Sequence, residues 1–132
     1  MRFFTSLTLV FFLIIGCNSD DTAKERDIDT KIISDLEDEI IALAESSFCN
    51  DITECAYIAF GSKPCGGPWS YLIYSTSIDV ELLIDKVEEF NKIQQEYNIK
   101  YGIVSDCSIV LPPISLICED NKCKAIYAQI QQ

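Results

Sequence analysis

YIAFGSKPCGGPWSYLIYSTSIDVELLIDKVEEFNKIQQEYN, residues 57–98, holds the two periodicities that together decide the fold class. Tyr57-Ile58-Ala59-Phe60 reads as a strand ending at Gly61, and Tyr71-Leu72-Ile73-Tyr74-Ser75 reads as the next. The intervening Gly61-Ser62-Lys63-Pro64-Cys65-Gly66-Gly67-Pro68-Trp69-Ser70 is a loop dense in residues that interrupt regular structure. After Ser75 the period changes. Asp79 is placed to cap a helix, Glu81 suits its positive end, and Ile78 can staple onto Leu83. Leu82, Leu83, Val87, Phe90, Ile93 and Tyr97 then form one apolar stripe to about Asn98.

Working outward, Ile103-Val104 leads into Ser105-Asp106-Cys107. Residues 108–111 read as a strand broken by Pro112-Pro113. Residues 115–118 and 123–130 read as the arms of a terminal hairpin turning at Asp120-Asn121. On the amino-terminal side, Ile28, Ile32, Ile33, Leu36, Ile40 and Leu43 recur at helical spacing and predict a helix over 29–46, its other faces acidic. The expectation is one α+β domain over 29–132, with its disulfide core over 49–132. It comprises a small antiparallel sheet of four or five strands with two helices packed on it. A core this small is marginal unless it is stapled.

The chain has seven cysteines and no histidine. If Cys17 is set aside, six remain: Cys49, Cys55, Cys65, Cys107, Cys118 and Cys123. An even set predicts three disulfides among fifteen connectivities. A two-residue turn at Asp120-Asn121 makes Cys118 and Cys123 a non-hydrogen-bonded pair, where strands approach to about 4.5 Å. That geometry favours a Cys118–Cys123 bond, and the rival joins Cys123 to Cys55. Cys65 is expected to pair with Cys107, tying the glycine-proline loop to the segment after the long helix.

Several chemistries are excluded or disfavoured. Without histidine there is no Ser-His-Asp or Cys-His catalysis. No Cys-x-x-Cys pair is present, so no zinc site is expected. The acidic stretches Asp20-Asp21 and Glu119-Asp120-Asn121 lack the spacing of a calcium loop. No cofactor and no catalytic residue is assigned. Carboxylates such as Glu54 and Asp106 are the basis of the alternative reading, a carboxylate-dependent enzyme. The net charge of −11 repels nucleic acid and favours a basic protein or peptide partner. The candidate binding surface is the stiff loop with its aromatic neighbours: Lys63, Pro64, Gly66, Gly67, Pro68, Trp69 and Tyr71, with Asp106 beside it. Prolines and a tethering disulfide reduce the entropy lost when such a loop binds.

The first sixteen residues read as a processing segment. Met1-Arg2 is a basic start, and the thirteen residues 3–15 are mostly apolar, too few for a bilayer span of about 20. Ile14-Ile15-Gly16-Cys17 resembles the lipobox of bacterial lipoproteins, with Ile14 where leucine is commoner. The resemblance implies a diacylglycerol thioether on Cys17, cleavage after Gly16 and acylation of the new amino group, which together anchor the protein to a membrane. Loss of Arg2 leaves 9 basic and 21 acidic side chains, net −12. Residues 17–28 then form an acidic, flexible tether, and Ser19-Asp20-Asp21 resembles the surface-export signal of Bacteroidota lipoproteins.

The loop Gly61-Ser62-Lys63-Pro64-Cys65-Gly66-Gly67-Pro68-Trp69-Ser70-Tyr71, followed by Tyr74-Ser75, Ile78-Asp79 and Ser105-Asp106-Cys107, resembles a group of uncharacterised Bacteroidota lipoproteins. It implies a cell-envelope location, in the outer membrane and exposed at the surface, and no particular activity. The functional expectation is a small non-catalytic binding domain, inhibitor-like or protein- and peptide-binding. A purely structural envelope component is a further alternative to the enzyme.

Overall fold

A computed structural model describes residues 19–50 and 53–128. The expected signal segment 1–16 and Cys17, the expected site of lipid attachment, lie outside the described residues. The chain runs α1 (Ser19–Glu45), β1 (Cys55–Phe60), β2 (Ser70–Ser75), α2 (Val80–Tyr101), β3 (Ser115–Glu119) and β4 (Lys122–Ile126). No helix among the described residues is long and apolar enough to cross a membrane.

Local chemistry explains most boundaries. Asp79 adopts an extended backbone and accepts a bond from the Leu82 amide, closing the start of α2. Gly102 ends it at φ 58°, its amide bonded to the Asn98 and Ile99 carbonyls, and Ile103 N–H also reaches the Asn98 carbonyl, at 2.9 Å. α1 has no basic residue in its last turn. A cation arrives there from β4 instead: Lys122 Nζ donates to the carbonyls of Glu45 at 2.6 Å and Ser47 at 2.9 Å. These bonds satisfy acceptors that the helix leaves open.

The core lies between the two helices and the first hairpin. Ile33, Ile40 and Ala44 of α1 meet Leu83, Val87 and Phe90 of α2 against Phe60 and Tyr74. Phe60 and Phe90 stack with centroids 4.7 Å apart. Each such fully buried side chain contributes about 1.5–3 kcal/mol by leaving water. Ile28 and Ile32, read as part of the α1 stripe, stay half exposed, because the core ends at Ile33.

Four expectations need correction. First, the strands form two separate two-stranded antiparallel sheets, β1–β2 and β3–β4, rather than one sheet. The terminal hairpin joins the first sheet through disulfides instead of a shared ladder. Second, those disulfides are Cys49–Cys118 and Cys55–Cys123, so the favoured Cys118–Cys123 bond does not form, while the rival Cys55–Cys123 does. Cys118 and Cys123 are register partners across a turn at Asp120 and Asn121, as read from sequence. Partners in register point to one face, and here that face meets the segment bearing Cys49 and Cys55, so each sulfur bonds outward. Cys65–Cys107 forms as expected.

Third, residues 19–28 are helical rather than a loose tether. Lys100 near the end of α2 holds Glu25 at 2.8 Å and Asp29 at 2.7 Å. Arg26 donates to the Tyr97 hydroxyl at 3.1 Å and lies over the Tyr101 ring. These cross-helix contacts extend α1 well before the first core residue. Fourth, residues 108–111 join no sheet. The run 103–113 has neither turn nor bend and pairs with no strand among the described residues.

Candidate functional site

The glycine-proline loop is held from three directions. Behind it, α2 presents three side-chain amides one helical face apart. Asn91 Oδ1 accepts from the Gly61 amide at 2.7 Å, and Gln94 Oε1 accepts from the Ser62 amide at 2.5 Å. Asn98 Nδ2 donates to the Ser62 carbonyl at 2.8 Å. Within the loop, Gly66 N–H bonds the Lys63 carbonyl and Lys63 N–H bonds the Gly67 carbonyl, each at 2.9 Å. Gly66 and Gly67 reach φ 93° and 80°, a region that favours glycine. With these amides engaged, the loop does not offer them to an anion. The third support is covalent, the Cys65–Cys107 bond.

Lys63, expected to face a ligand, is instead an internal strut with its side chain only 4% exposed. Its Nζ donates to the Ser108 carbonyl at 2.9 Å, to Ser108 Oγ at 3.0 Å, and to Asp106 Oδ1 at 3.4 Å. It also sits 5.0 Å from the Trp69 ring centroid, a cation–π distance. Ser108 Oγ donates onward to Asp106 Oδ2 at 2.9 Å. That hydrogen bond, with the Lys63 charge behind it, holds the Asp106 carboxyl below its ordinary value. Lys63 and Cys65 therefore weld the loop to residues 105–108. Asp106 serves this joint and faces solvent.

The outward surface belongs to Trp69 and Tyr71. Gly61 lies so close beneath the indole that a Cβ there would sit 2.7 Å from Trp69 Cδ1. Trp69 stays 42% exposed. Tyr71 is braced edge-on by Tyr57, with centroids 5.5 Å apart. Two clefts open on either side of Ser70 and Tyr71. One, of about 530 Å³, runs between Trp69 and the helices, with Glu37 and Gln94 on its wall and Phe60 and Phe90 among its lining residues. The other, of about 290 Å³, lies between Tyr71, residues 109–111 and Tyr127. Ile109 and Leu111 stand exposed along its edge.

The structure thus gathers Lys63, Trp69 and Asp106 around one cation, leaves Gly66 and Gly67 exposed, and half-buries Pro64 and Pro68. Tyr71 belongs to β2. The amide triplet Asn91, Gln94 and Asn98 was not singled out from sequence, although its i, i+3, i+7 spacing is legible there. Ile109, Leu111 and Tyr127 were read as strand positions, and only their missing partners make them a surface.

The arrangement gives little support to carboxylate catalysis. Asp29, Asp106 and Glu119, the carboxyls that the fold perturbs, are all shifted downward by hydrogen bonds and neighbouring cations. An acid catalyst at neutral pH needs the opposite shift. The Sγ atoms of Cys49, Cys55 and Cys123 lie within 4.8 Å of one another. They belong to two adjacent disulfides and so carry no thiolate for a metal. The chain matches no protein-family model, no curated protein and no solved structure.

Proposed function

We propose that this chain is a lipid-anchored protein of the bacterial cell envelope, held at the outer membrane through Cys17 and exposed at the surface, whose domain binds a basic protein or peptide without catalysis. The carrying observation is the pair of clefts that share Ser70 and Tyr71. Trp69, Tyr71, Ile109, Leu111 and Tyr127 offer apolar contact there on a disulfide-braced frame. Aromatic anchors on a rigid support are the features that make binding surfaces efficient. The acidity of the chain favours a basic partner and speeds its approach.

Two measurements test this reading. Trp69 is the only tryptophan, so its emission reports directly on the cleft it lines. Titrating the cell-derived protein with basic, apolar peptides shifts that emission, and pull-downs from native envelopes lose their partners with Trp69→Ala. Unchanged emission together with equal recovery would sink the binding surface. Intact-mass analysis tests the anchor separately: the mature chain begins at acylated Cys17, and a chain retaining Met1 would sink that half.

A further inference from the structure

The run 103–113 links α2 to β3 without joining either sheet among the described residues. It has neither turn nor bend, residues 106–109 are all exposed, and Val110 is half-buried between the exposed Ile109 and Leu111. Ile109 is 85% and Leu111 54% exposed, at the edge of the cleft beside Tyr71. No hydrogen bond among the described residues engages the backbone of Ile109, Val110 or Leu111. Such a segment is ready to pair with a strand edge supplied by another molecule.

Its ends are clamped. On one side Cys107 is bonded to Cys65, and Lys63 grips the Ser108 carbonyl. On the other, Pro112 and the buried Pro113 precede Ile114, whose amide bonds the Ile126 carbonyl at 2.9 Å. The next cysteines in the chain, Cys118 and Cys123, are bonded to Cys49 and Cys55. A break at any bond within 108–111 therefore leaves both new ends covalently held to the same domain.

Resting on the binding reading above, we propose that residues 108–111 enter the cleft of a secreted serine protease in the manner of a substrate, and that the protein inhibits it. The protease is one whose primary pocket takes an aliphatic side chain. A protease cleft holds an extended substrate by main-chain bonds and pockets for alternate side chains. Ile109 and Leu111 are alternate, aliphatic and exposed. The Leu111–Pro112 bond is a tertiary amide whose nitrogen carries no hydrogen, which disfavours the usual substrate contacts at that bond. Hydrolysis elsewhere in 108–111 adds one water across the bond. The ends cannot separate, so the same water can be lost and the bond restored. The acidity of the chain favours a basic protease.

The test assays the full cell-derived protein against an elastase-type and a subtilisin-type protease, with trypsin, whose pocket carries a carboxylate, as control. Inhibition of at least one of the first two at micromolar protein is expected, with trypsin spared. Ile109→Asp combined with Leu111→Asp should raise the inhibition constant about 100-fold while leaving the melting temperature unchanged. The double variant Cys65→Ala/Cys107→Ala should become a substrate cut within 108–111. If neither protease is inhibited, or the aspartate variants inhibit as well as wild type, the proposal is overturned. Trp69 emission on peptide titration judges the broader binding reading independently, so the two failures are distinguishable.

Discussion

Cys118 and Cys123 face each other across the terminal hairpin, yet Cys118 is bonded to Cys49 before β1 and Cys123 to Cys55, the first residue of β1. The hairpin is thereby riveted to the first sheet at two neighbouring points. Non-reducing peptide mapping should recover Cys49–Cys118 and Cys55–Cys123 and no Cys118–Cys123 peptide. A single closed loop with a sequence separation of 69 residues would contribute about 4 kcal/mol by chain entropy. Because Cys55–Cys123 closes nearly the same loop, removing only Cys49 and Cys118 should cost about 1–2 kcal/mol, read from urea unfolding. A loss near the full single-loop value would mean that the two bonds act independently.

Gly61 and Gly66 provide a matched comparison. Both have positive φ, at 81° and 93°, but a Cβ on Gly61 would strike the Trp69 indole while one on Gly66 meets open space. Gly66→Ala should cost about 1 kcal/mol, from backbone strain alone. Gly61→Ala should cost about 2–4 kcal/mol and displace the indole, moving its emission to longer wavelength. Equal effects from the two variants would show that the indole does not rest on Gly61.

The joint at Lys63 carries a pH signature. Asp106 is held below its ordinary value by Ser108 and Lys63, so its contribution is present above the unfolded carboxylate range, near pH 4. That contribution is lost as pH falls through the lowered folded value. The difference in melting temperature between wild type and Asp106→Asn should thus be largest near neutrality and shrink below about pH 4. Lys63→Met removes the buried donor of these bonds and should destabilise by about 1–3 kcal/mol. A difference independent of pH would place the role of Asp106 outside its charge.

Lys100 pins the first turns of α1 through Asp29 and Glu25, which raise its pKa, while the hydrogen bonds from Lys100 and the Tyr101 hydroxyl lower that of Asp29. Lys100→Met should speed amide hydrogen exchange before Ile33 and leave the protection of α2 near Phe90 unchanged, since an exposed ion pair adds little to global stability. Uniform loss of protection across both helices would contradict this local role.

Much of the architecture was legible in the chain. Asp79 and the Leu83-Val87-Phe90 stripe mark α2 through capping and burial that act within a turn or two, although the helix runs past the expected end near Asn98 to Tyr101, where Gly102 caps it. β1 and β2 emerge from short apolar runs split by a glycine-proline loop, and Asp120-Asn121 forms the expected turn. The Cys65–Cys107 bond was likewise expected. The site was legible in outline only. Trp69 is exposed and Tyr71 half-buried, whereas Lys63 looked like a ligand-facing cation and is an internal strut. A sequence places a charge along the chain without showing what packs over it.

By itself the sequence determined the α+β class, the long central helix, the turns and the even set of sulfurs available for pairing. Tertiary structure alone decided which sulfurs meet, how early α1 begins, and that residues 108–111 join no sheet among the described residues. The first group depends on interactions between near neighbours, whose spacing is written in the chain. The second depends on which faces of distant elements come together, and that is set by packing around Phe60, Phe90 and Ile40 rather than by any local pattern.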